Sequence, residues 1–200
     1  MDRSKPHPKR VVRKSSRKQR RIQVALWIVS LVGLSFIAWL WWNAKFGDAS
    51  FQRLVEQGQP ALGNVRSFVS EGLAQHVPQG SPVYYRSNPP TAGAHYPTPS
   101  VPGYYGSPQP PGNLVHALEH GNIVIYYDRQ SPEVMQSLRA EVNRFQDPWA
   151  SVVVAPMPGI GEEIVLTAWA EMLRLRTFDA ASAAAFIDRF RGRGPEHPVR

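Results

Sequence analysis

The sequence contains no cysteine. That excludes disulfides, thiolate metal sites, iron–sulfur clusters and cysteine nucleophiles, and it leaves any metal to nitrogen and oxygen donors, with Met157 as a thioether option. Acid is scarce at the start: residues 1–21 hold ten Lys/Arg against one acid, Asp2. Residues 22–200 hold thirteen Lys/Arg and fourteen acids, so the net charge of +8 belongs to the tail. A body without positive excess has nothing with which to neutralise phosphates, and nucleic acid is not expected as a partner. A G-x-S-x-G elbow, a Walker loop, a dinucleotide fingerprint and an internal repeat are also missing.

Charge is absent altogether from residues 22–42, IQVALWIVSLVGLSFIAWLWW. At about 1.5 Å per residue a helix of this length crosses a hydrocarbon core of roughly 30 Å. Trp39, Trp41 and Trp42 gather at one end, where amphipathic rings settle among headgroups, and the basic tail abuts the other. This reads as an uncleaved, single-pass signal anchor in the cell membrane. The N-terminus is expected in the cytoplasm and the rest outside, with the tail (residues 1–21) lying on anionic lipid. A cleaved signal peptide is the competing reading, with small residues at Gly47-Asp48-Ala49.

Beyond the anchor the chain divides into a juxtamembrane stretch (43–60), with a short helix at about 50–57, and an extracytoplasmic domain (61–197). Residues 61–77 fit strand or helix equally. Residues 78–112 hold ten of nineteen prolines and five of seven tyrosines: Tyr84, Tyr85, Tyr96, Tyr104 and Tyr105. So many aromatics argue against disorder and for an ordered loop with buried rings and bonded hydroxyls. Further on, patterning predicts a two-turn helix over 114–120 capped by Asn113 and closed by Gly121, a strand at 122–127, a helix from 132 to 145, strands at 151–155 and 163–169, and a helix over 179–191 capped by Asp179. Trp149 and Trp169, beside apolar strands, read as core. The fold class is α+β, a small sheet with helices on it. A right-handed crossover sets the first two strands parallel, and the third is expected to return as a hairpin beside the second.

Histidines carry the chemical signal. His116 and His120 are four apart, on one face of a helix or of a strand. They form half of a zinc or copper site, to which His95 in the ordered loop adds a third ligand and His76 a weaker fourth. The string His116-Ala-Leu-Glu119-His120 also matches H-x-x-E-H, in which the glutamate is general base of a zinc hydrolase. Such a site needs a downstream carboxylate, and Glu162, Glu163, Glu171 and Glu196 are available without distinction. His7 and His197 read as solvated.

Three separated motifs occur in order: Asn88-Pro-Pro-Thr-Ala-Gly-Ala-His95, then Leu114-Val-His-Ala-Leu-Glu-His-Gly121, then Thr167-Ala-Trp169 followed by Phe186-Ile-Asp-Arg-Phe-Arg191 and Gly194-Pro-Glu196. Together they resemble a bacterial domain of unknown function, family three-one-zero-five, over about residues 70–197. The family motif reads N-P-P-T-S-G-P-H, and Ala92 and Ala94 stand here in place of Ser and Pro. The resemblance implies membrane anchoring behind an N-terminal helix and draws attention to His95, His116, Glu119 and His120. It implies no activity. Three functional readings follow. One is a domain binding copper or zinc without turnover at His95, His116 and His120, with His76. Another is a metal-dependent hydrolase with Glu119 as its catalytic base. The last is a structural or protein-binding module of an envelope complex, in which the histidines staple the loop.

Overall fold

The computed structural model of the chain describes residues 17–70 and 75–200. The basic tail as far as residue 16 lies outside the described residues. Helix α1 spans Arg17–Gly58. Within it Gln19–Trp39 is long and apolar enough to cross a membrane, and its side chains point outward, Trp27 and Val29 about seven-tenths exposed. That is the pattern of a membrane anchor or signal sequence. Residues 43–58 of the stretch read as juxtamembrane are further turns of the same helix. The chain forms two compact units, residues 1–49 and 50–200, and the second carries everything that follows.

That unit is a six-stranded mixed sheet between helices. The strands are β1 (Arg66–Ser67), β2 (Gly103–Tyr104), β3 (Ile123–Tyr127), β4 (Val152–Pro156), β5 (Ile164–Ala168) and β6 (Glu171–Leu175), in the order β1-β6-β5-β3-β4-β2. The helices are α2 (Pro111–Glu119), α3 (Pro132–Arg144) and α4 (Ala180–Phe190), and a 3-10 turn, Gln59–Asn64, follows α1. The architecture is mixed α+β. The parallel pairing of β3 with β4 follows from the α3 crossover. The third predicted strand does not pair with the second. β5 lies antiparallel to β3 on its other side and makes its hairpin with β6. Ala170 turns that hairpin at a φ of 62°. β4 could not accept β5, because β2 from the proline-rich loop already occupies its outer edge in parallel.

Alternation along the strands sorts two cores. Ile123, Ile125, Val152, Val154, Ile164 and Leu166 face Leu138 of α3, Ala183, Phe186 and Ile187 of α4, and Phe51 and Val55 from the last turns of α1. Those turns lie so close to α4 that a Cβ on Gly58 would sit 1.9 Å from the Ala181 carbonyl oxygen. Val124, Tyr126, Val153, Ala155, Val165 and Met172 face Leu114, Ala117 and Leu118 of α2. Capping explains where the helices begin. Ser131 Oγ accepts from Val134 N, and the Asp179 carboxylate accepts from the Ser182 amide and hydroxyl. Asn113 is not a cap. α2 begins earlier, on Pro111, and the Asn113 side chain donates to the Thr98 carbonyl.

Residues 75–110 are ordered mainly by tyrosine. Tyr85 donates to the Ala94 carbonyl, Tyr96 to Ser81, Tyr105 to Val101, and Tyr104 bonds the Tyr127 hydroxyl. Tyr84 departs from the expectation of buried rings: it is 91% exposed. Trp149 is not core either. It is half-buried and stacks on His120 at 4.0 Å, because Asp147 and Pro148 turn the chain before β4 begins.

Candidate metal centre

α2 decides the geometry. Its apolar positions Leu114, Ala117 and Leu118 must meet the sheet, which turns His116, Glu119 and His120 toward the loop and the C-terminal tail. Successive helical residues are about 100° apart, so Glu119 and His120 project on opposite flanks of His116, at roughly −60° and +40° from it. The helix stops immediately afterward in a Schellman closure, with Gly121 N bonded to the Leu118 carbonyl and Asn122 N to that of Ala117. Gly121 adopts a φ of 95°, and a Cβ there would lie 2.9 Å from both Gly194 N and the Trp149 carbonyl oxygen.

On the first flank, the loop brings His95 and His76 to His116. An isolated parallel bridge pairs His76 with His95: Val77 N donates to the His95 carbonyl at 2.8 Å, and His95 N to that of Gln75 at 3.0 Å. The three ring centroids form a near-equilateral triangle with sides of 4.9, 4.8 and 4.8 Å. Glu119 completes the group, and one ligand atom from each of His76, His95, His116 and Glu119 lies within 4.8 Å of all the others. His95, His116 and Glu119 are buried, while His76 is exposed.

Backbone carbonyls fix the ring tautomers. His95 Nδ1 lies 2.9 Å from the Gly93 carbonyl oxygen, and His116 Nδ1 lies 2.6 Å from that of Tyr96. A carbonyl only accepts, so each Nδ1 carries the proton and each neutral ring presents a bare lone pair at Nε2. His95 Nε2 is fully buried without a hydrogen bond among the described residues, although Glu119 Oε2 is 3.0 Å away. The contact has the distance of an ion pair but not the direction of a hydrogen bond. Two electron-rich atoms thus face a shared space, which is costly unless a cation or a proton lies between them. Burial, which outweighs the opposing Tyr96 carbonyl, pushes the His116 pKa down to about 4, and the neighbouring His120, His95 and His76 act in the same direction. At neutral pH the ring is uncharged and able to ligate.

On the other flank, His120 Nε2 is 2.9 Å from Glu196 Oε2. Burial lowers the His120 pKa, with Glu196 and Glu119 opposing. The tail is clamped to the end of α2: Gly192 N donates to the Gly121 carbonyl at 2.8 Å and Glu196 N to that of Glu119 at 3.4 Å. His116, His120 and Glu196 form a second group whose ligand atoms lie within 4.8 Å of one another. His197 meets the Trp149 ring edge-on at 5.4 Å.

Of the residues named from the sequence, His76, His95, His116 and Glu119 come together, and His120 meets His116 from the opposite side, its ring centroid 4.6 Å from that of His116. Met157 packs with the apolar cluster under α2, outside both groups. Among the downstream glutamates, Glu163 pairs with Arg174, Glu171 accepts from Ser67, and Glu196 reaches a histidine. The carbonyls of Gly93 and Tyr96 carried no sequence signal as ring supports, since every residue has one.

No curated protein and no solved structure matches the chain. The profile of a family described as "Protein of unknown function (DUF3105)" matches residues 76–200, a span that includes the histidine-bearing loop, α2 and the C-terminal tail. The chain therefore belongs to that family, as the three ordered motifs implied.

Proposed function

We propose that this is a membrane-anchored protein whose extracytoplasmic domain binds one copper or zinc ion at His76, His95, His116 and Glu119. The observation that carries the reading is the buried His95 Nε2, which has no hydrogen bond among the described residues and lies 3.0 Å from a Glu119 carboxylate oxygen. Three imidazoles and one carboxylate suit Zn²⁺ or Cu²⁺. Carbonyls on the far nitrogens of two rings are the usual outer support of ligating histidine. Bonds of about 2.0–2.1 Å at tetrahedral angles put ligand atoms about 3.3 Å apart, so a group spaced by up to 4.8 Å must contract on binding.

A Glu119 oxygen is one of the four atoms that could hold the ion, which favours binding without turnover over a hydrolase in which Glu119 is the base. The cytoplasmic position of the N-terminus rests on the basic tail alone.

The test is metal analysis of the full chain, purified in detergent and dialysed against Zn²⁺ or Cu²⁺. One equivalent is expected in the wild type, with affinity falling at least tenfold in His95→Ala and in His116→Ala. Less than half an equivalent, or retention equal to wild type in both variants, defeats the proposal. A structural role for the histidines instead predicts a chelator-insensitive Tm together with loss of stability in the same variants.

A further inference from the structure

The two ligand groups meet at one side chain. His116 belongs to the buried group with His76, His95 and Glu119, and equally to the outer group with His120 and Glu196. Its Nδ1 is committed to the Tyr96 carbonyl at 2.6 Å. Only Nε2 remains, and one lone pair binds one ion. A bridging imidazolate would need Nδ1 free, so the two groups cannot be filled together. They do not compete as equals. The buried group offers three histidines and a carboxylate, with His95 and Glu119 almost wholly enclosed, whereas the side chains of His120 and Glu196 are 17% and 45% exposed.

We propose that His120 and Glu196 form an outer docking position for the ion, from which it passes to the buried centre by ligand exchange pivoting on His116 Nε2. The inference rests on the buried centre proposed above. The ion would first meet Glu196, the more exposed member of the pair, and His120. It would then gain His116, and exchange His120 and Glu196 for His95, Glu119 and His76. Each protein bond broken is replaced by one of the same chemical kind, imidazole for imidazole and carboxylate for carboxylate; the third new bond, to His76, displaces a water that completes the ion's shell at the outer position, and the route involves no change of oxidation state. The position is built into the fold rather than left to a loose tail. Gly194 packs so tightly against α2 that a Cβ would lie 2.1 Å from the Glu119 carbonyl oxygen, and the Trp149 ring stacks on His120 at 4.0 Å, holding both ligands in place.

The experiment uses the full chain in detergent and Zn²⁺ alone, with stopped-flow loading and chelator-driven release followed beside equilibrium titration. The variants are His120→Asn and Glu196→Gln, the latter nearly isosteric. Wild type is expected to bind one equivalent. Both variants should keep its equilibrium constant within about threefold while loading and release both slow by tenfold or more, since a lost intermediate slows the two directions alike. Loading at the wild-type rate in both variants overturns the proposal and leaves entry to the exposed His76 side. A loss of affinity in His120→Asn as large as in His95→Ala also overturns it, by making His120 a resident ligand. Two equivalents in wild type would do so as well, because His116 would not be shared. Failure of wild type to bind any Zn²⁺ would instead defeat the buried centre itself, and His95→Ala, which should lose affinity first and not rate, separates the two cases.

Discussion

Replacing Gly194 by alanine tests how the tail is held against α2. The added Cβ would lie 2.1 Å from the Glu119 carbonyl oxygen, 2.3 Å from Gly121 N and 2.8 Å from the Glu119 carbonyl carbon. All three are main-chain atoms at the closure of a helix, so none can swing aside as a side chain would. The cheapest response is for the tail to lift. Lifting breaks the bonds from Gly192 N to the Gly121 carbonyl and from Glu196 N to that of Glu119, each contributing about 1 kcal/mol. It also parts His120 from Glu196, a half-exposed pair worth up to about 1 kcal/mol. The expected loss is therefore about 2–3 kcal/mol. Urea unfolding of the full chain in detergent, followed by tryptophan emission, measures it, and Trp149 should change its emission before unfolding because the tail supports its His120 and His197 contacts. A midpoint and slope unchanged within error would show that the tail has room the geometry denies it.

Other perturbations address separate parts of the domain. Phe186 is fully buried on α4 between the sheet and the end of α1, and Phe186→Ala should cost about 3–5 kcal/mol in the same unfolding assay. Asp179→Ala removes the α4 cap and should cost about 1 kcal/mol at neutral pH. Hydrogen bonds from Ser182 hold the Asp179 pKa below its usual value, so the native state keeps the carboxylate charged more readily than the unfolded chain does. The cap's contribution is thus complete above the ordinary carboxylate range and lost as pH falls through the lowered value, a dependence that Asp179→Ala should remove. Stability of the metal-free protein should fall as pH drops from about 6.5 to about 4, because native His116 resists a proton that the unfolded chain accepts. His116→Gln should flatten that stretch of the pH profile, and an unchanged slope would refute the assignment of a buried neutral ring.

The central strands were legible because β3, β4 and β5 are mostly apolar five-residue runs with proline or charge at one end, and α3 and α4 because their caps and spacing agree. β1 and β2 were not, since two residues carry no period. Their pairing depends on partners about 50 to 105 residues away in the chain. β5 was placed on the wrong side of the sheet because sequence separation favours the preceding strand, whereas the edge it would have used is taken by the loop. At the site, the spacing of His116, Glu119 and His120 was plain, but which flank each would serve depends on which face α2 buries. His76 was harder still. It joins His95 through two backbone bonds across nineteen positions, and main-chain pairing outside regular strands leaves no mark on residue type.

The rings at this centre lean on the main chain rather than on neighbouring side chains. An alanine scan will therefore register the imidazoles and pass silently over what orients them, because no substitution deletes a carbonyl. The supports become visible only where the path of the chain itself can be disturbed. Gly93 carries the oxygen that holds His95 and turns at a φ of 120°, while a Cβ on Gly112 would lie only 2.7 Å from the Tyr96 ring, inside contact distance. Residues without side chains are thus where this site should prove least forgiving of change.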